Sequence, residues 1–171
     1  MSLRHALLGL LVDKPASGYD LLKDFAGSLA NVWPATQSQI YTELTKMAAA
    51  ELITVTDAGP RGRKEYALTD AGLAELRHWL TEIPPNRPQR SDVLLRVFFL
   101  GVVDREQARE YLRGLAEKAR QEHEELVGIL ERTDWEGGDL ATYGRLALEY
   151  GLRFTDTRRE WAEWAVDRIR T

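Results

Sequence analysis

Thr36-Gln37-Ser38-Gln39-Ile40-Tyr41-Thr42-Glu43-Leu44-Thr45-Lys46-Met47-Ala48-Ala49-Ala50 reads as one capped amphipathic helix. The Thr36 hydroxyl is placed to accept the amide three residues on, and Gln39 is placed to reach back, the reciprocal arrangement of a capping box. Ile40, Leu44 and Met47 recur at steps of four and three, which makes one stripe apolar. Ser38, Thr42, Thr45 and Ala49 oppose that stripe, flanked by Gln39, Tyr41 and Lys46, while Glu43 lies toward the side. The outer face therefore holds one cation and no acid. Small hydroxyls allow a nucleic-acid backbone to come close, and Gln, Tyr and Lys hydrogen-bond to bases and phosphates. An ordinary surface helix with a polar side has the same pattern, so the neighbouring segments decide between the two readings.

Upstream, Leu3, Leu7, Leu10 and Leu11 predict a short helix stopped by Pro15. Ser17 is a candidate cap for a second helix with Leu21, Leu22, Phe25 and Leu29 on one face. Pro34 disfavours helix at Trp33, so a turn separates this helix from the one beginning after Thr36. Two helices across a tight turn, the second with a polar outer face, follow the helix-turn-helix plan. Downstream, Leu52-Ile53-Thr54-Val55-Thr56 suits a strand. Residues 57–62 are rich in breakers, and Arg63-Lys64-Glu65-Tyr66-Ala67-Leu68 reads as the returning strand. The hairpin so formed has a basic tip at Arg61, Arg63 and Lys64. Such a tip can be a solvated, edge-protecting loop. Directly after a helix like 36–50 it reads as the wing of a winged helix-turn-helix, with cations for phosphates and an arginine for a minor groove.

Thr69 caps the next predicted helix, with Leu73, Leu76, Leu80 and Ile83 on its buried side and Trp79 nearby. Pro84, Pro85 and Pro88 then make a stiff connector. The expected organisation is a winged helix-turn-helix domain over 1–83, a connector over 84–90 and a helical domain over 91–171, a mainly α chain.

Charge is distributed unevenly. The net charge of −4 is not that of a typical nucleic-acid binder. Residues 1–90 hold 10 basic and 10 acidic residues and residues 91–171 hold 13 and 17, so any DNA contact must come from a local cluster. The chain has no cysteine, which excludes disulfides and thiolate metal sites and fits a cytoplasmic setting. Its start lacks the apolar run of a signal peptide, and no stretch approaches the roughly 20 apolar residues of a membrane helix.

Four segments carry a family likeness: His5-Ala6-Leu7-Leu8-Gly9-Leu10-Leu11, Ser17-Gly18-Tyr19-Asp20-Leu21, Ser38-Gln39-Ile40-Tyr41-Thr42-Glu43-Leu44 and Gly62-Arg63-Lys64-Glu65-Tyr66-Ala67-Leu68-Thr69. In this order and spacing they resemble the PadR family of bacterial transcriptional regulators. The second half resembles the helical C-terminal domain of the longer members. The resemblance implies a dimeric DNA-binding repressor or, less often, an activator. Carried over by position, it implies that Ser38, Gln39, Tyr41, Thr42 and Lys46 face DNA, that Tyr19 approaches a phosphate, and that Arg63 and Lys64 serve the wing. Members of the family usually have glycine where this chain has Glu51. Glycine there permits a left-handed turn out of the helix, so glutamate predicts a different exit.

In the second half, Ser91-Asp92 caps a short helix from Val93 to Leu100 that is apolar nearly all round and is expected to be buried between other helices. From Asp104 to about Arg132, Ala108, Leu112, Leu115, Ala119, Glu122, Leu126 and Ile129 form a heptad seam. Glu122 is either a register marker or a rim residue. After a turn at Gly137-Gly138, a last helix of roughly 45 Å carries Tyr143, Ala147, Tyr150, Phe154, Thr157, Trp161, Trp164 and Arg168 at the same steps. This aromatic stripe predicts a dimer interface or an intrachain core. A second, sharper reading is a pocket for a small aromatic effector that uses Tyr150, Phe154, Trp161 or Trp164 as stacking surfaces. A homodimer through this half would double the phosphate contacts of a neutral domain and place two recognition helices about 34 Å apart on a near-palindromic operator.

No enzymatic constellation is legible. His5, His78 and His123 lack metal-ligand spacing. Gly59-Pro60-Arg61-Gly62 is neither a phosphate-binding loop nor a dinucleotide fingerprint, and no serine sits in a hydrolase elbow. No cofactor is expected. The two function classes left are a DNA-binding regulator and a winged-helix protein-interaction module without DNA binding.

Overall fold

The computed structural model describes residues 2–29, 33–57, 64–85 and 91–169. The chain divides into two units, Met1–Arg87 and Pro88–Thr171. The first contains helices α1 (Ser2–Leu10), α2 (Gly18–Ser28), α3 (Gln37–Ala49) and α4 (Asp70–Thr81) with strands β1 (Ala16–Ser17), β2 (Ile53–Asp57) and β3 (Lys64–Leu68). The strands form an antiparallel sheet in the order β1-β3-β2. Tyr66 sits at its centre, opposite Ala16 on one side and Val55 on the other. The two-residue strand β1 has no periodic signal to announce it; pairing with β3 is what makes it extended.

The core of this unit is sealed by large side chains. Leu7, Leu8 and Leu11 from the first helical segment meet Leu21 and Phe25 of α2, Ile40, Leu44 and Met47 of α3, and Ile53, Tyr66 and Leu76. Fully burying one leucine contributes about 1.5–3 kcal/mol, so this cluster holds α3 in place. Helix α4 meets the core through Gly72, Leu76 and Trp79 rather than along its whole predicted stripe. Leu80 and Ile83, expected inside, are exposed. In the last turn of α4 it is Trp79, stacked on His5 of α1, that faces inward, so its neighbour Leu80 is left outside, and Ile83 lies past the helix end.

The second unit contains α5 (Asp92–Phe98), a 3₁₀ turn (Leu100–Val102), α6 (Arg105–Arg132) and α7 (Gly138–Arg168). Helices α6 and α7 pack against each other. On α6 the buried residues are Ala108, Leu112 and Ala119, the seam the heptad pattern predicts. On α7 they are Leu148, Thr155 and Ala162. The aromatic stripe is turned away from these residues: at about 100° per residue Phe154 and Trp161 each lie about 100° round from the buried residue that follows them, and Tyr150 lies about 160° from Leu148. Between the helices, Glu122 pairs with Arg158, and His123 Nδ1 lies 3.0 Å from Thr155 Oγ1. Glu122 is thus at the rim of the seam with a cross-helix partner. Helix α5 is not buried: Leu94, Leu95, Phe98 and Phe99 are all exposed, Phe98 by 81%. Its all-round apolar sequence calls for cover that a single chain does not supply. Among the described residues, no helix is long and apolar enough to cross a membrane.

Candidate nucleic-acid interface

Helix α3 begins with the predicted capping box. Gln39 N–H donates to Thr36 Oγ1 at 3.3 Å, and Thr36 N–H donates to Gln39 Oε1 at 2.8 Å. The Gln39 carbonyl oxygen is therefore occupied, and its amide N–H groups are what it can offer a base. With Ile40, Leu44 and Met47 buried, the rotation of the helix is set. Ser38, Gln39, Thr42, Thr45 and Lys46 face outward. The Thr45 hydroxyl is turned back to the Tyr41 carbonyl at 3.0 Å. That leaves Ser38, Thr42 and Lys46 as the exposed polar side chains of the face not turned back to the helix backbone.

Tyr41 bridges α3 to α2. A Cβ at Gly18 would lie 2.8 Å from the Tyr41 ring, so only glycine permits this approach. Tyr19, next in the chain, is 69% exposed in the first turn of α2, behind a cap in which Asp20 N–H donates to Ser17 Oγ at 3.2 Å. Beneath them the Tyr66 hydroxyl is held in its neutral form above the usual tyrosine range, first by burial and then by the neighbouring Tyr41. The close approach of Gly18 to Tyr41 thus joins the start of α2, where Tyr19 stands exposed, to α3.

The exit from α3 departs from expectation. Glu51 adopts φ +56°, the left-handed conformation. Leu52 N–H donates to the Met47 carbonyl at 3.0 Å and Glu51 N–H to the Ala48 carbonyl at 3.1 Å, the paired bonds of a Schellman ending. The turn that glycine favours is therefore made by glutamate, at a cost of roughly 1–2 kcal/mol. The surroundings hold it there. The Thr69 hydroxyl, which caps α4, lies 2.8 Å from the Glu51 carbonyl and 2.9 Å from that of Leu52. A Cβ at Gly72 would fall 2.1 Å from the Leu52 carbonyl oxygen, so α4 presses directly on the exit turn. Sequence patterns identified the cap at Thr69 but not this contact.

The hairpin carries the chain on from that turn. Lys64 opens β3 and is exposed, paired in register with Asp57. Arg61 and Arg63 lie outside the described residues. One residue that pattern reading did not single out, Arg4, completes the geometry. Arg4 of α1 donates its Nε–H to Glu43 at 3.0 Å, and Lys46 Nζ stands 3.9 Å from the same carboxylate. An i, i+3 spacing of Glu43 and Lys46 was visible in sequence, but the partner 39 residues away was not.

In the second unit Leu112 is buried within the single chain, and Leu115 and Trp161 are half-buried. Tyr150, Phe154 and Trp164 face outward, Tyr150 by 72%. Tyr150 and Phe154 stack with centroids 6.0 Å apart, and Arg158 and Arg168 lie over the Phe154 and Trp164 rings. A concave surface between α6 and α7 is lined by Arg113, Arg120, Arg159, Glu117 and Glu163, and its lining includes none of those aromatics. His5 is stacked on Trp79 beside Glu75, and His78 is near Glu82, so the histidines are distributed over separate contacts.

Residues 7–78 match the PadR-like family of transcriptional regulators, and residues 89–170 match the C-terminal domain of the virulence activator alpha family. The negative transcriptional regulator PadR of Bacillus subtilis is 33% identical over 134 residues, covering 76% of this chain and 74% of its own. Its crystal structure in complex with operator DNA superposes with a TM-score of 0.83 at 30% identity, over 99% of this chain and 100% of the other. The complex of the same protein with p-coumaric acid gives 0.84 at 29% identity, over 99% of both chains. The Vibrio cholerae virulence activator AphA gives 0.82 at 25% identity, over 98% of both chains.

Proposed function

Because this chain belongs to the PadR-like family of transcriptional regulators, we propose that it binds a near-palindromic operator as a homodimer, represses transcription in the cytoplasm, and is released by a small aromatic effector. The observation that carries the proposal is the orientation of α3. Its apolar stripe is consumed by the core while the Ser38, Thr42 and Lys46 side chains are exposed, in the same unit as an exposed Tyr19 and a hairpin strand that opens on Lys64. In this reading Lys46, Lys64, Tyr19, Arg61 and Arg63 meet phosphates, and Ser38, Gln39, Tyr41 and Thr42 meet base edges. The complex of the Bacillus subtilis relative with operator DNA supports the DNA partner, and its complex with p-coumaric acid supports an aromatic acid as effector class. Repression rests on likeness to a protein described as a negative regulator, which exceeds the likeness to the activator AphA.

Dimerisation follows from what the second unit leaves uncovered. An apolar α5 and the stripe of Tyr150, Phe154 and Trp164 need a partner surface, and a second copy supplies one. The protein-interaction reading draws on one observation: the single cation of α3 stands 3.9 Å from an acid, which leaves the face almost neutral.

Fluorescence anisotropy with a duplex taken from upstream of its own gene separates the two. DNA binding gives an affinity that falls steeply with salt as counterions are released. Lys46→Ala lowers the slope of log affinity against log salt by about 0.9 without changing sequence preference. A flat salt response, or no binding, overturns the DNA reading. Addition of p-coumaric acid to the complex tests release.

A further inference from the structure

Glu43 serves two cations from two helices. Its carboxylate accepts Arg4 Nε–H of α1 at 3.0 Å and stands 3.9 Å from Lys46 Nζ, one turn along α3. The exposures are unequal: the Glu43 side chain is 18% exposed and Arg4 24%, while Lys46 is 61% exposed. Glu43 and Arg4 thus form a half-buried pair, with Lys46 attached at its wet edge. Arg4 lies in the first turn of α1, where the helix dipole disfavours a cation, so the carboxylate offsets that as well. The cluster borders the outer face directly, since Trp33, Ser38, Thr42, Glu43 and Lys46 line one shallow cleft. A phosphate that reaches Lys46 must come close to Glu43 and be repelled by it. Three side chains with a net charge of +1 sit where two bare cations would bind any duplex.

We propose that Glu43 is a specificity-determining residue of the DNA interface. It restrains Lys46 and Arg4 so that sequence-independent attraction stays weak, and a duplex is retained only where Ser38, Gln39 and Thr42 find matching base edges. The proposal rests on the DNA-binding reading above. It differs from a bracing role, in which Glu43 does no more than tie α1 to α3 through Arg4.

Full-length variants distinguish the two roles. Glu43→Gln raises the local net charge to +2, Arg4→Met lowers it to 0, and the double variant restores +1. Affinity is measured by anisotropy for the upstream duplex and for a scrambled duplex of equal length, across a range of salt, with melting temperature as a fold control. Glu43→Gln binds the scrambled duplex about fivefold tighter at low salt, the worth of one charge near 4 Å in water. Its salt slope steepens by up to about 0.9, and the ratio of upstream to scrambled affinity falls. Arg4→Met weakens scrambled binding by a similar factor, and the double variant returns close to the parent. A brace moves both single variants in the same direction and leaves the double no better; that result overturns the proposal, as does scrambled affinity unchanged in Glu43→Gln. If Glu43→Gln fails to fold, Arg4→Met and the double variant still decide. A parent protein that binds neither duplex overturns the DNA reading itself, and this proposal with it.

Discussion

In residues 1–87 Leu7, Leu21, Leu44 and Met47 are sealed inside, and what faces outward on α3 is hydroxyl, amide and amine. In residues 88–171 the arrangement is reversed. Helices α6 and α7 meet over Leu148, Gly151, Thr155 and Ala162, and Phe98, Tyr150 and Trp164 are on the outside. The first unit has spent its large apolar side chains on its own core and can present a polar face to a polar partner. The second has made its helix pair from small residues beside a few leucines such as Leu112 and Leu148, and leaves its large aromatic side chains Phe98, Tyr150 and Trp164 outside. One sequence therefore divides the work of recognition and assembly by where each unit places its bulk.

Truncation of the sealed core carries the largest expected effect. Leu44→Ala removes a fully buried side chain beneath the polar face of α3, and costs about 2–5 kcal/mol. Urea unfolding reads this as a lower midpoint, with DNA affinity lost as α3 loosens. Truncation outside behaves differently. Phe98→Ser removes a ring that touches water over most of its surface, so the single chain loses little. If a second copy covers α5, the substitution weakens self-association by about 2 kcal/mol or more, a hot-spot value and roughly thirtyfold in dissociation constant. Sedimentation at micromolar concentration should give twice the 19.5 kDa chain mass for the parent and a shift toward monomer for the variant. A parent that sediments as a monomer breaks the comparison, since the outward aromatics would then need another explanation.

The same contrast explains what could be read in advance. In the first unit the caps at Ser17, Thr36 and Thr69 and the stripe Ile40-Leu44-Met47 were legible, because large side chains at helical spacing mark the buried face and hydroxyl caps mark the ends. On α6 the heptad also pointed inward. On α7 the strongest periodic signal belongs to the outer face, while the inner face mixes Leu148 with the small residues Gly144, Gly151, Thr155 and Ala162. Small residues let two helices approach, as at Gly151, where a Cβ would meet Leu126 at 3.0 Å. A pattern search weighted toward bulk passes over such a seam. Contacts between distant positions were invisible for a different reason: nothing local to Arg4 or Gly72 announces Glu43 or the Leu52 carbonyl.

The smallest expected effect sharpens the comparison at the edge of the sealed unit. Glu51 is the non-glycine residue held at positive φ among those described, and Thr69 and Gly72 press the turn from outside. Replacing it by glycine removes the left-handed penalty but makes the unfolded chain more flexible, which returns part of the gain. The net is a stabilisation of about 0.5–1 kcal/mol, or roughly 1–4 °C in melting temperature for a chain of this size. Glu51→Ala keeps a Cβ in the same conformation and so should give no such rise. If alanine stabilised as much as glycine, the relevant factor would be loss of the exposed acid rather than relief of the backbone. The tight packing of α4 against this turn would then not be holding any strain.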